Sequence, residues 1–346
     1  MNYETHYYKM KTKGKLKARL GVGPMSSETI EAVFRHSHFF RRQLMLISSK
    51  NQIDAKGGYV NNWTTKQYME AINVLRKRYP QSDVKICRDH CGPGFNGIYD
   101  LKDSYRTIED DIKNGFDLIH IDFCHFQGSN RERLTETKRA IQFALKKKPS
   151  ILLEIGTDEN EGTNYTIANI GELEREIDFF QEFCKPEFYV VQTSSLIMEI
   201  NQVGSFNKAF IERISKLLDS KEVKLKEHNA DYLSKNQIAL RDGYIGAFNI
   251  APQLGVVQTS LTLTKCLTYG IQWEKFADLV YTGGRWKKWL QNNGPENKML
   301  CVLIAGHYHF SSPLYQEILR QLGEHEDIQE IITNQLADII AHYDKK

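Results

Sequence analysis

Residues 84–123 read VKICRDHCGPGFNGIYDLKDSYRTIEDDIKNGFDLIHIDF: a short apolar run closing on charged residues, an amphipathic stretch, then a second apolar run that closes the same way. Runs of that length suit strands buried on both faces, and a helix-length crossover between them makes the two strands parallel. The unit recurs in both directions. Strands are expected before it at 19–24 (RLGVGP) and 43–49 (QLMLISS), and after it at 150–156 (SILLEIG), 188–194 (FYVVQTS), 222–229 (EVKLKEHN) and 244–252 (YIGAFNIAP). With 84–90 and 117–123 they number eight, and their starts lie 22 to 41 residues apart. Amphipathic stretches such as 65–79, 134–147 and 170–184 fall between them, and Ser26, Thr64 and Ser205 are placed to cap helices. Eight such units in about 250 residues predict an α/β fold, a (β/α)8 TIM barrel. The alternative, a doubly wound open sheet, lacks its signal, because no GxGxxG follows the first strand.

The barrel is expected over 19–272, with a basic N-terminal extension at 1–18 and a helical C-terminal extension at 273–346 packed on the barrel. Lysines stand at every second position from Lys9 to Lys17, which reads as a solvated arm. The 346 residues are 41% hydrophobic and 26% charged, the balance of a soluble globular protein. Forty-six Lys+Arg against 43 Asp+Glu leave +3, so neither charge nor its distribution argues for a nucleic-acid partner. No apolar run reaches the length of a membrane helix and the start has no apolar signal core, so a cytoplasmic protein is expected. Six cysteines at 87, 91, 124, 184, 266 and 301 are spread without a second close pair, as reduced thiols would be.

In a TIM barrel the reactive residues sit at the carboxyl ends of the strands. Here those ends carry Asp89-His90, Asp122, Glu154, Glu227-His228 and Asn249, with Ser49, Asn51, Gln52 and Asp231 just beyond. Imidazoles and a carboxylate on different strands suit a divalent metal, Zn²⁺ first, with Mn²⁺ or Co²⁺ as alternatives. The expected ligands are His90, Glu154 and His228, with Asp158 and Glu159 as substitutes for Glu154. Asp89 would move a proton on a substrate held by the metal. His120, inside an apolar run, reads as a barrel-interior residue, and His36 and His38 take no role.

The segments SSKNQIDAKGGY (48–59), CRDHCGPG (87–94), KEHNADYLS (226–234) and LRDGYIGAFNIAPQLGVVQT (240–259) resemble the tagatose-bisphosphate aldolase accessory-subunit family. That family, the so-called non-catalytic subunit of the class II enzyme, carries SNQ…GGY, GGDHLGP, EAHSTDYQ-like and KVGPALT-like segments in the same order. The resemblance spans about residues 20–270. More distantly the chain is similar to the class II metal-dependent sugar-phosphate aldolases, which implies a (β/α)8 barrel. It also implies Asp89 as proton-transfer residue, His90 and His228 as metal ligands, Asp122 at a strand end, and Glu154-Ile155-Gly156 as the carboxylate segment near the metal. The third metal histidine of those enzymes lies in an HGGSG segment that also takes substrate phosphate, and here that region reads AFNIAPQLG. Asn249, Glu154 or water would complete the shell, and phosphate would need another anchor, Arg285 in TGGRWKK or Ser311-Ser312 after GHYHF.

Two functions follow from this reading. One is a metal-dependent sugar or sugar-phosphate aldolase, epimerase or isomerase, working through an enediolate or retro-aldol step, with Asp122 or Glu227 as a second base for epimerisation. The other is a non-catalytic subunit that stabilises a catalytic aldolase subunit. A homo-oligomer joined through the C-terminal helices is expected in either case.

Overall fold

The computed structural model describes residues 16–157, 169–291 and 297–344. Eight parallel strands close into a barrel: β1 (Leu20–Val22), β2 (Gln43–Ser48), β3 (Asp83–Cys91), β4 (Leu118–Ile121), β5 (Leu152–Thr157), β6 (Phe188–Val191), β9 (Lys224–Glu227) and β10 (Ala247–Ile250). β10 returns to β1, pairing Gly21 with Asn249 and leaving no open edge. A short antiparallel hairpin, β7 (Ile197–Met198) and β8 (Asn201–Gln202), lies in the connection after β6. The eight expected strands are the eight barrel strands.

The outer layer is α1 (Ser27–Phe40), α2 (Thr65–Arg78), α3 (Leu101–Lys113), α4 (Asn130–Lys147), α5 (Ile170–Gln181), α6 (Lys208–Ser220), α7 (Lys235–Ala239) and α8 (Pro252–Tyr269). Caps set several of the starts. The Ser26 hydroxyl accepts from the Thr29 amide, and Thr64 and Gln67 form a reciprocal capping box. Asn207, not Ser205, caps α6 by accepting from the Phe210 amide, so the helix begins two residues later than the serine implied.

Strand alternation divides the apolar side chains into two cores. The larger lies between the sheet and the helices. The smaller fills the barrel with Met45, Ile47, Cys87, Leu118, Phe188 and Ala247, and Leu16 and Ala18 join it. Residues 1–15 of the expected arm lie outside the described residues, while Leu16 and Ala18 are buried rather than solvated. Cys87 faces the barrel interior and Cys91 the helix layer, so the two cannot share a metal.

The chain ends in α9 (Glu274–Gly283), a 3-10 turn at Arg285–Trp289, α10 (Lys298–Ala305), a 3-10 turn at Gly306–His309, α11 (Pro313–Leu322) and α12 (Ile328–Tyr343). α12 packs on α1 and α8, and α11 on α8. No described helix is long and apolar enough to cross a membrane.

Candidate metal centre

Which strand-end residues meet is decided by the period of two along each strand. On β4 His120 follows Leu118 into the barrel, and its Cα partner on β5 is Glu154. At the end of β9, Lys226 and His228 point inward, which sends Glu227 to the helix side. On β10, Asn249 shares the face of Ala247. Asp89 on β3 shares the face of Cys87, and simple alternation would turn His90 away. The pairing of β3 with β4 shifts between Arg88 and Cys91, however, and His90 adopts a left-handed φ of 45°. This irregularity brings His90 back over the barrel mouth, where its ring lies 5.0 Å from His120 and 5.1 Å from His228. Phe95 stacks on its other side at 4.6 Å.

The polar atoms converge tightly. His228 Nε2 lies 3.1 Å from Glu154 Oε1, and Lys226 Nζ lies 2.5 Å from Glu154 Oε2. Asp89 Oδ1 is 3.3 Å from His120 Nδ1 and 3.9 Å from His228 Nε2, while its Oδ2 is 3.9 Å from His90 Nε2. Asp89, His120, Glu154 and His228 each offer a ligand atom within 4.8 Å of the others, and His90, His120 and Asp122 form a second such group. His120 belongs to both.

The His120 tautomer carries information. Its Nε2 lies 2.8 Å from the Gly156 carbonyl, to which a ring nitrogen can only donate. The backbone amide of His90 approaches its Nδ1 at 3.3 Å, the approach of a donor to an acceptor. Gly156 can present that carbonyl because it adopts φ of 94°, and a Cβ there would lie 2.1 Å from the Val190 carbonyl oxygen. His120 Nδ1 thus meets Asp89 Oδ1 and, at 3.7 Å, Glu154 Oε1, donating to them when it carries a proton and standing as a further acceptor when it does not. In the latter state Nδ1 and the two carboxylates offer their lone pairs to one point, as a cation site would.

Burial separates a floor from an open side. Side-chain exposure is 0% for His120 and 1% for Glu154, against 16% for both Asp89 and His90. Burial opposes ionisation of Glu154, but Lys226, then His120 and His228, hold its pKa at about 2. Burial likewise opposes ionisation of Asp89, yet His90, His228 and His120 keep it well below the usual carboxylate range. Asp122, buried and 2.8 Å from His90 Nδ1, is lowered too, chiefly by its bond to that imidazole. A carboxylate on one imidazole nitrogen orients the ring and leaves the other nitrogen for a ligand or a proton. Imidazoles and carboxylates in this mixture fit a divalent ion such as Zn²⁺ or Mn²⁺.

Of the residues expected from sequence, Asp89, His90, Asp122, Glu154 and His228 are thus brought together, and Asn249 stands on the same inner face. Asn249 is 4% exposed, and neither atom of its amide has a hydrogen-bond partner. Glu227 does not face the centre. It is fully buried on the helix side, where its carboxylate accepts from Arg241 Nε at 2.6 Å, Thr193 Oγ1 at 2.7 Å and the Ser195 hydroxyl. Asp231 spends its carboxylate on the start of α8, accepting from the amides of Ala251 at 3.0 Å and Gln253 at 2.9 Å. Gln52 is bonded to Ser49 and the Pro24 carbonyl, and Asn51 to the Phe95 carbonyl, so this loop braces the residue that stacks on His90. Arg285 sits on the C-terminal extension, its guanidinium 4.8 Å above the Tyr308 ring. Asp158 and Glu159 lie outside the described residues.

Two members of the centre were not singled out from sequence, His120 and Lys226. The signal was available in the alternation: His120 lies two residues before Asp122 in LIHID, and Lys226 two before His228 in KEH.

No protein-family model matches the sequence, and no curated protein matches it either. Among solved structures the chain is similar to a probable tagatose 6 phosphate kinase from Sinorhizobium meliloti 1021, at 16% identity and a TM-score of 0.73, covering 94% of this chain and 92% of that one. It is similar to a fructose-bisphosphate aldolase from Campylobacter jejuni, at 14% identity and a TM-score of 0.61, with 98% and 93% covered. The YdjI aldolase from Escherichia coli K12 matches at 13% identity and a TM-score of 0.52, with 93% and 96% covered. At these identities the shared property is the barrel, and it is the barrel that the resemblance in sequence implied.

Proposed function

We propose that the chain is a divalent-metal-dependent enzyme of carbohydrate metabolism that cleaves or epimerises a sugar or sugar phosphate beside its carbonyl. The observation that supports this reading is the convergence of the Asp89 and Glu154 carboxylates on His120 Nδ1, with the opposite nitrogen at the Gly156 carbonyl. His120, Glu154 and His228 would hold the ion, with His90 as a further ligand from the open side. A bound divalent ion supplies Lewis acidity, which makes a proton next to a carbonyl, or on a neighbouring hydroxyl, easier to remove. Asp89, on the open side and ionised across the physiological range, takes that proton from the substrate. Asp122 holds the His90 ring in place, and the unpartnered Asn249 amide offers a donor and an acceptor to a substrate hydroxyl. The fold shared with aldolases adds support of the weaker kind, since one barrel serves many chemistries.

The second reading, a subunit that stabilises a catalytic aldolase, is favoured by one feature. Asn249 stands in the segment where the class II enzymes that the sequence resembles carry their third histidine. Metal content by elemental analysis, followed by a ketose-phosphate panel scored for cleavage and epimerisation, separates the two. We expect about one Zn²⁺, Mn²⁺ or similar ion per chain, loss of most of it in His228→Ala, and retained metal without turnover in Asp89→Asn. A protein that stays empty in added Zn²⁺ and raises the activity of an aldolase chain would establish the subunit instead.

A further inference from the structure

Basic side chains buried or half-buried in the barrel are answered by acids, as Arg88 by Asp111, Arg241 by Glu227, Lys226 by Glu154 and Arg133 by Glu176. The C-terminal extension sets two exposed cations side by side. Arg285 stands over the Tyr308 ring at 4.8 Å from its centroid, Lys288 lies between the Trp289 ring at 4.5 Å and the Tyr308 ring at 5.6 Å, and neither has an ion-pair partner among the described residues. The His307 ring lies tilted against that of Tyr308 at 4.1 Å, is 1% exposed, and leaves Nδ1 with no hydrogen-bond partner. The surroundings of its imidazole are one-sided. Burial, Lys288, Arg285 and His309 all push its pKa down, to about 3.

This cluster lies at the same end of the barrel as the metal centre. A Cβ on Gly255, in the first turn of α8, would lie 2.6 Å from His307 Cβ. From the other side the Tyr59 ring, in the loop after β2, meets Tyr308 at 4.9 Å. Ring stacking restrains the guanidinium while leaving its N–H edge open, the arrangement suited to two oxygens of one anion. Charge of one sign, without an ion-pair partner among the described residues and at the rim of a mouth whose own strand-end segment has no HGGSG, suits an anion.

We infer that Arg285 and Lys288, backed by His307 and Tyr308, form an anion subsite that takes the phosphate of a phosphorylated sugar. The inference rests on the sugar-phosphate half of the function proposed above, but the subsite and the metal centre share no residue. The test uses the full-length protein, as purified and with added Zn²⁺, titrated calorimetrically with inorganic phosphate, fructose 6-phosphate and fructose. Phosphate and fructose 6-phosphate are expected to bind, and Arg285→Gln/Lys288→Gln to weaken both about tenfold or more, since charge-assisted hydrogen bonds are removed. Lys287→Gln, whose ammonium lies over Trp286 instead, serves as the charge control and should change neither by more than about twofold. Metal content should be the same in the wild type, the double variant and the control.

Absence of phosphate binding to the wild type would overturn the subsite, and so would equal binding by the double variant. Phosphate binding that appears only with Zn²⁺ and vanishes in His228→Ala would also overturn it, because the anion would then sit on the metal. Phosphate binding that survives in His228→Ala would uphold the subsite, and phosphate binding by a wild type that takes up no Zn²⁺ would uphold it while sinking the metal-dependent reading.

Discussion

Lys226 shows how one side chain can make a polar centre tolerable. Two carboxylates, Asp89 and Glu154, face the barrel interior within reach of three imidazoles, and Lys226 is the permanent cation bonded to one of them. Removing one partner of a buried pair leaves an uncompensated charge, at a cost of about 3–5 kcal/mol. Lys226→Met should therefore lower the free energy of urea unfolding by that order at pH 7, and Lys226→Met/Glu154→Gln should recover part of the loss. Added Zn²⁺ should raise the melting temperature of Lys226→Met, since an ion that binds only the folded state stabilises it by mass action. Equal stability of Lys226→Met and wild type would show that Glu154 does not depend on the pair.

At the scale of elements, the helix starts separate capable residues from residues in position. Ser205 and Asn207 both have capping side chains, but only Asn207 meets the amide three residues ahead. Asn207→Ala is expected to cost about 1 kcal/mol in chemical denaturation and Ser205→Ala almost nothing. The reverse result would place the start of α6 two residues earlier. Asp231 does similar work for α8, with a pH signature. Its burial, set against bonds from the amides of Gln253 and Ala251, pushes its pKa up to about 7. The native state then holds a proton that the unfolded chain has released between about pH 4 and 7, so this contribution to stability falls as the pH rises through 7. The unfolding midpoint of the wild type should drop between pH 5 and 8 more than that of Asp231→Asn, which cannot ionise. Parallel pH profiles would show that Asp231 is ionised throughout.

For the molecule as a whole, the C-terminal helices complete the core rather than decorate it. Ile332, Leu336 and Ile340 of α12 are fully buried, and the helix packs on α1 and α8. Leu336→Ala should cost about 2–5 kcal/mol, as for other buried leucines, read from urea unfolding. A cost near zero would mean that α12 folds apart from the barrel. The barrel itself could be read along the chain, because eight apolar runs, each followed by an amphipathic stretch, allow few other ways to bury their surface. Composition and the period of two are local properties, so β1 to β6, β9 and β10 emerged from sequence, and with them the end of the barrel where Asp89, His90, Glu154 and His228 had to lie. Only the closed tertiary structure decided which of those side chains meet. Alternation sends Glu227 to Arg241 and keeps Lys226 and His228 inside, a register shift after Arg88 returns His90 to the mouth, and β4 sets His120 beside Glu154. The same closure brings Arg285 and His307 together from two separate turns of the C-terminal extension. Contacts of that kind join residues far apart in the chain, and they exist only once the sheet has closed and the helices have packed around it.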